Sequence, residues 1–356
     1  MSNADRDGKL GCADCDSVSR RRFLKTTVGS AAAIAAASAG VLGVAGLSTG
    51  SLAAEAASPN KSSAETLVAQ LYKSLKAEQK KAICFPFDHP LRSDVDNNWF
   101  IIKDKRVKDS YDKDQQALIR DIFMSMHSEE YAPRVMEQVE HDNKDIGGFG
   151  ACSIAMFGVP GAVGESKFEF VLTGRHTTRR CDGNSVEGAA FGGPIFYGHA
   201  AESFNEKPDH KGNVYWYQGL RANEVYKALD GKQRKLALLD INPPGEHAKE
   251  TVELPIKNAD LEGIPMSELA KDQKDLVRKV LADLLAPFRK ADADEALKLI
   301  EAGGFDKLHM AFFSAMDIGK DGVWDVWKLE SPNMVWYFRG SPHVHTWVHV
   351  REPAKA

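Results

Sequence analysis

Cysteine is scarce in this sequence, and neither sign of charge dominates it. Five cysteines among 356 residues are too few to hold a fold together by disulfide bonds. The 46 lysines and arginines and the 50 aspartates and glutamates give a net charge of -4, without the basic excess of nucleic-acid-binding proteins. With 43% apolar and 27% charged residues, the composition is globular, which excludes a collagen, a coiled coil and a mainly disordered chain.

Several motifs of common catalytic and cofactor sites are also missing. Outside the Ala/Gly-rich stretch near the N-terminus, where residues 46–50 read Gly-Leu-Ser-Thr-Gly, no Gly-x-Ser-x-Gly segment supplies a serine nucleophile. No P-loop or dinucleotide fingerprint is present, because the glycines of residues 147–150 lack the required spacing and following helix. No Cys-x-x-Cys-His segment could attach a c-type haem. A serine hydrolase, a nucleotide-dependent enzyme and a c-type cytochrome are therefore not indicated.

The first 56 residues have the pattern of an export signal. Residues 19–25, Ser-Arg-Arg-Arg-Phe-Leu-Lys, match the twin-arginine motif, and an Ala/Gly-rich stretch without charge follows as far as Glu55. Ala54-Glu55-Ala56 is a small-x-small cleavage signal. We predict a twin-arginine signal peptide at residues 1–56, recognition by the translocation machinery, and a periplasmic or extracellular protein. The alternative is a membrane anchor, but Ala, Gly and Ser make a poor transmembrane helix.

Export by this route affects the expected chemistry. Cleavage removes Cys12 and Cys15, whose Cys-x-x-Cys spacing we interpret as incidental, and leaves Cys84, Cys152 and Cys181. The sequence does not define whether any two of these three form a disulfide. Because the twin-arginine pathway transports folded proteins, often with a cofactor already loaded, it favours a bound metal or cofactor.

The order of the predicted elements indicates an α+β fold. Helical periodicity marks residues 118–126 and 131–139. Strands are predicted at residues 152–159, 167–180, 192–197, 308–313, 323–329, 334–339 and 344–350. Helices are predicted at residues 220–239, with a break at Asp230-Gly231, at 267–286, and at 294–302 with Asp294 as N-cap. We expect residues 57–356 to form a single α+β domain, a mainly antiparallel sheet with helices packed against one face.

The last predicted strand carries a histidine pattern typical of a metal site. Because side chains alternate along a strand, His343, His345 and His349 share one face, and the intervening residues, mostly valines, share the other. Same-face neighbours lie about 7 Å apart, so His343 and His345 can bind one metal ion through bonds of about 2.0–2.1 Å. His349 lies about 13 Å beyond His345 and cannot join them without a bulge. The alternative is a surface strand with solvated or carboxylate-bonded imidazoles.

A mononuclear site needs a third protein ligand, and two histidines are candidates. His176 lies on the predicted strand 167–180, in apolar surroundings that also suit a histidine buried in the core. His199 follows the predicted strand 192–197, and strand ends often carry functional residues. Imidazole ligands suit zinc and copper equally, so the divalent metal ion could be either.

Short motifs spread over the chain resemble a known family of exported bacterial proteins, which is catalogued only as a domain of unknown function. The matching segments are Phe157-Gly158-Val159-Pro160, Gly174-Arg175-His176, residues 193–198, residues 219–221 and His343-Val344-His345-Thr346. The family usually has Gly-His-His where this chain has Gly-Arg-His, and Arg where this chain has His349. The resemblance implies that His176, His343 and His345 meet in space, and it implies no reaction.

Three functions are compatible with the sequence. The first is an exported metal-binding protein and metal-dependent enzyme of undefined substrate, in which His176, His343 and His345 bind the ion with His199 or water in fourth position. The second is a non-catalytic periplasmic protein that binds a small molecule in an aromatic groove formed by Tyr215, Trp216, Tyr217, Trp324, Trp327, Trp336 and Tyr337. The third is a structural or partner-binding envelope protein with an exposed apolar patch. No nucleic-acid partner is expected, and no catalytic residue, substrate or oligomeric state is defined.

Overall fold

The computed structural model describes residues 63–161, 167–199, 213–254, 256–257, 261–317 and 322–354. The predicted signal peptide, with Cys12 and Cys15, lies outside these ranges. Cys84, Cys152 and Cys181 are all free thiols, so no two of them are joined by a disulfide. No helix in these ranges is both long and apolar enough to cross a membrane.

The helices lie in three groups along the chain. They are α1 Ala64–Ser74, α2 Ala77–Ile83, α3 Val107–Ser110, α4 Lys113–Ser125, α5 Tyr131–Asp142, α6 Trp216–Ala228, α7 Gly231–Ala237, α8 Lys271–Leu285 and α9 Lys290–Gly303. Short 3-10 helices cover Pro90–Ser93, Lys144–Ile146, Gly148–Ala151, Ala190–Gly192, Ala248–Val252, Met266–Glu268, Phe305–Lys307 and Ser314–Met316. The predicted break at Asp230-Gly231 is confirmed, because the Asp230 side chain caps α7 by accepting from the backbone N–H groups of Lys232 and Gln233.

The strands form one mixed sheet. They are β1 Cys84–Phe85, β2 Ser153–Gly158, β3 Phe168–Gly174, β4 Thr177–Cys181, β5 Ile195–His199, β6 Leu238–Leu239, β7 Ile264–Pro265, β8 His309–Phe313, β9 Val326–Ser331, β10 Met334–Arg339 and β11 Val344–Val350. The spatial order is β1-β2-β3-β4-β5-β11-β10-β9-β8-β6, and β7 also pairs with β8. Among the described strands, only the short β1 and β6 pair in parallel, with β2 and β8 respectively. The predicted α+β class with a mainly antiparallel sheet is therefore confirmed.

The two faces of the sheet are covered differently. On one face, residues such as Ile154, Leu172 and Val348 pack with the apolar sides of the α-helices in the main core. On the other face, residues such as Phe196 and Trp347 pack beneath loops and the 3-10 helix Ala248–Val252. The alternation predicted for β11 is confirmed, because its valines lie in the main core and Trp347 lies on the opposite face.

Several predicted boundaries differ from the structure, and two of these differences have a clear local cause. The predicted strand 167–180 is two strands, since Gly174 pairs with Thr177 and leaves Arg175 and His176 as a two-residue turn. His176 has a φ of 56°, in the left-handed region that favours glycine, and the segment lacks the Asn-Gly or Asp-Gly signal of such turns. The helix predicted at 294–302 begins at Lys290, and Asp294 forms an ion pair with Lys290 instead of capping it.

Candidate metal centre

The sheet topology brings four histidines to the same end of its central strands. His176 lies in the turn just before β4. The start of β4 pairs with β5 through Thr177 and Tyr197. The end of β5 in turn pairs with the start of β11, where Val344 lies opposite His199. The β3–β4 turn, the end of β5 and the start of β11 are therefore neighbours, although they are far apart in sequence.

Three of these histidines converge through the same ring nitrogen. His343 Nε2 lies 2.9 Å from His345 Nε2 and 3.1 Å from His176 Nε2. All three side chains are buried, with exposed fractions of 1% for His176, 3% for His343 and 2% for His345. Among the described residues, these three histidines form the group whose ligand atoms lie close enough to one another to hold a metal ion. The expected meeting of His176, His343 and His345 is confirmed, whereas metal binding itself stays a prediction.

Two carboxylates hold the outer nitrogens of this cluster. His176 Nδ1 lies 3.0 Å from Asp142 Oδ2 at the end of α5. His345 Nδ1 lies 2.8 Å from Glu246 Oε1, in the loop before the 3-10 helix Ala248–Val252. An ionised carboxylate only accepts hydrogen bonds, so both Nδ1 atoms carry the proton. Carboxylate-bound histidines of this kind are typical of metal centres, because the carboxylate fixes the ring and makes Nε2 more basic.

Further contacts hold the two carboxylates in place. Gln138 Nε2 donates to Asp142 Oδ2 at 2.6 Å, and Trp347 Nε1 donates to Glu246 Oε1 at 2.8 Å. Burial alone would raise the pKa of Glu246, but the charge and hydrogen bond of His345, with the charge of Arg339, lower it to about 2. Burial likewise opposes the hydrogen bond and charge of His176 at Asp142, and the net effect is to lower its pKa. Both carboxylates are therefore ionised at neutral pH.

The inner nitrogens cannot all be satisfied by one another. His343 Nε2 faces two other Nε2 atoms, and a neutral imidazole nitrogen can donate one hydrogen bond or accept one along its single lone pair. One of the two N···N contacts is therefore left unsatisfied in any assignment of the protons. Burial, and then the neighbouring charges of His345, His176, His199 and Arg175, lower the pKa of His343 well below its usual range. His343 is thus neutral, which is the form that binds a metal ion.

Two of the three separations between these nitrogens are close to those of a tetrahedral centre, and the three ligand atoms all lie within 4.8 Å of one another. Bonds of about 2.0–2.1 Å at tetrahedral angles place two ligand nitrogens about 3.3 Å apart. The separations of 2.9 and 3.1 Å need an outward movement of only a few tenths of an ångström. Many catalytic zinc sites consist of three histidine ligands and a fourth, open position.

His199 lies beside the cluster but outside its set of three nitrogens. Its Nε2 is 2.8 Å from Asn213 Oδ1, and its ring stacks at 6.5 Å on Tyr215. Burial lowers the pKa of His199 to about 4. The role of His199 as a fourth metal ligand stays a prediction. His349 Nδ1 lies 2.7 Å from the Val252 carbonyl oxygen, away from the cluster, as expected from the strand geometry.

Sequence reasoning missed the two carboxylates. No role was expected for Asp142 from the sequence, although this residue is 4% exposed and bonded to His176. The signal that could have indicated its role was its position, one helical turn beyond the end of the predicted helix 131–139. Glu246 lies in a loop without regular periodicity, and no sequence signal links it to His345.

The seven aromatic residues of the alternative ligand groove are packed inside the described part of the protein and do not line an open groove there. Tyr215, Trp216, Trp327, Trp336 and Tyr337 are at most 1% exposed, and Tyr217 and Trp324 pack against the main core. A cavity of about 280 Å³ lies beside the loop that contains Glu246, and its walls include Gly245 and His247. Tyr337 also lines it, as one of the aromatic residues considered for the groove. None of the cluster histidines lines this cavity.

The comparisons with known proteins agree with the resemblance seen in the sequence motifs. The family model described as "Protein of unknown function (DUF3500)" matches residues 58–355. No curated protein and no solved structure matches the chain significantly. The match spans nearly all of the sequence after the predicted signal peptide, and it assigns no reaction.

Proposed function

The chain belongs to the DUF3500 family of proteins of unknown function, and from the geometry of its site we propose that it is an exported metal-dependent enzyme. His176, His343 and His345 bind one divalent ion, zinc or copper, through Nε2. The observation that carries this proposal is the convergence of three buried Nε2 atoms while carboxylates hold the opposite nitrogens of two of the rings.

The metal supplies the chemistry, and the protein residues prepare it. A divalent ion with three histidine ligands can activate a bound water or polarise a substrate oxygen at its open position. Asp142 and Glu246 orient His176 and His345 and offset the positive charge of the ion. Zinc and copper both accept three imidazoles, so the ligand set does not choose between hydrolytic and redox chemistry.

Export is the second part of the proposal. Its support is the twin-arginine motif at residues 19–25 and the small-x-small segment that ends at Ala56. A pathway that transports folded proteins allows the metal to be inserted before translocation.

Elemental analysis of the exported protein tests the metal site. The protein is purified after export without chelators and without a histidine tag, beside the double variant His343→Ala/His345→Ala. The matched control is His141→Ala/His247→Ala, because both residues are exposed and each is the chain neighbour of one of the two carboxylates. We expect about one equivalent of metal in the wild type and the control, and none in the double variant.

Two outcomes contradict the proposal. One is a wild-type protein that takes up no metal even when zinc, copper and iron are offered in turn. The other is a double variant that folds, as judged by circular dichroism, and still retains a full equivalent. A metal retained by the double variant would place the site elsewhere in the chain.

A further inference from the structure

Arg175 is a cation next to the histidine cluster with no carboxylate partner among the described residues. Its Nη1 donates to the backbone carbonyl oxygen of Asp142 at 3.1 Å. Its Nε is buried and has no hydrogen-bond partner in the described part of the chain. By contrast, the other arginine near the cluster, Arg339, lies 3.8 Å from Glu246 Oε2. An arginine whose guanidinium retains free donors is equipped to bind an anion from outside the protein.

The position of Arg175 ties it to the metal centre. It precedes His176 in the two-residue β3–β4 turn, so the same backbone geometry places both side chains. Both also contact Asp142, Arg175 through the carbonyl oxygen and His176 through the carboxylate.

Exposure distinguishes Arg175 from the residues around it. The three cluster histidines are 1–3% exposed, whereas Arg175 is only partly buried. Arg175 therefore lies where the site approaches solvent.

We propose that Arg175 binds the oxyanion group of the substrate, a carboxylate or a phosphate, while another oxygen of that group reaches the metal. The inference rests on the proposed metal function and names the substrate class of that site. A guanidinium matches two oxygens of a carboxylate or phosphate with parallel hydrogen bonds, and a divalent ion attracts the same negative charge. Arg175 is thus a specificity-determining residue for an anionic substrate.

The test compares anion binding by four proteins of equal metal content. Wild type, Arg175→Met, Arg175→Lys and the control Arg120→Met are loaded with Co(II) or Cu(II), and the visible spectrum is followed during titration with acetate or inorganic phosphate. Chloride controls for ionic strength. Arg120 suits the control because it is exposed and pairs with Glu140 on the surface. The anion with the lower dissociation constant identifies the group as carboxylate or phosphate.

We expect the same metal stoichiometry in all four proteins. Loss of a hydrogen bond to a charged group predicts binding about 10- to 100-fold weaker in Arg175→Met, with partial recovery in Arg175→Lys and no change in Arg120→Met. Equal affinity in wild type and Arg175→Met would overturn the inference, as would binding of neither anion.

A failure of the metal proposal is distinguishable from a failure of this inference. If no protein takes up metal, acetate and phosphate are titrated against the metal-free proteins, and thermal denaturation is the readout, because an anion that binds the folded state raises Tm. If the anion raises Tm only when Arg175 is present, the proposed anion site is supported and only the proposed metal site is rejected. Stabilisation that is equal in Arg175→Met, or absent, would overturn the anion site as well.

Discussion

Two buried polar centres flank β4, and they differ in how their hydrogen bonds are satisfied. Near the end of the strand, Arg180 bonds Glu169 and donates to the carbonyl oxygens of Arg92, Asp94 and Pro194. Glu169 also accepts from Arg92 Nη1 at 2.9 Å. At the beginning of the strand, the Nε2 atoms of His176 and His345 both face the Nε2 atom of His343.

This difference separates a structural centre from a binding centre. A buried network in which donors meet acceptors holds strands and loops together and needs nothing more. A buried network in which nitrogens face nitrogens is costly unless another group occupies the position between them. The Arg180 centre therefore predicts a large effect on stability when it is broken, and the histidine cluster predicts effects mainly on metal binding.

The largest expected effect is on the Arg180 centre. Glu169→Ala leaves Arg180 as a buried charge without its carboxylate, which predicts a loss of about 3–5 kcal/mol in the free energy of unfolding. Urea denaturation of the metal-free protein measures it, and the exposed Glu78→Ala is the control, with an expected change within about 0.5 kcal/mol. The folded fraction of Glu169→Ala should still take up one equivalent of metal. A loss below about 1 kcal/mol would remove the distinction between the two centres.

The carboxylates of the histidine cluster give the next effect. Asp142→Asn and Glu246→Gln remove the charge but keep the size of the side chain, so each should weaken metal affinity about 10- to 100-fold. Competition with a metallochromic chelator measures the dissociation constant, and Glu250→Gln in the 3-10 helix that follows Glu246 is the exposed control. If both amide variants kept wild-type affinity, the carboxylates would not orient the ligands as we infer.

The smallest effect is expected at His349, on the same face of β11 as His345. Its single hydrogen bond to the Val252 carbonyl oxygen predicts that His349→Ala costs about 1 kcal/mol in the free energy of unfolding. Full metal content should remain, as measured by elemental analysis beside the denaturation curve. Loss of metal in this variant would instead assign His349 to the site and contradict the strand geometry.

The sequence predicted the parts of the fold that depend on local pattern. The strands 334–339 and 344–350 were predicted with the bounds that the structure has, the second of them with its period-two alternation. Helical periodicity located α8, and Asp230-Gly231 marked the break between α6 and α7. The turn at Arg175-His176 was missed because its residues carry no turn signal. The α9 boundary was missed because Asp294 resembles an N-cap although it lies within the helix.

The same division holds for the candidate site. Alternation along one strand was sufficient to pair His343 with His345, because neighbours on a strand face are neighbours in space. The closure of β4, β5 and β11 into adjacent strands decided that His176 would meet them, and it brought Asp142 from the helical face and Glu246 from the loop face to the outer nitrogens. These contacts join residues that are about 30 to 170 positions apart in sequence, where no local periodicity applies. The sequence by itself therefore determined which side chains could bind a metal, and the packing of the whole sheet decided which of them do converge, because only long-range strand pairing sets those distances.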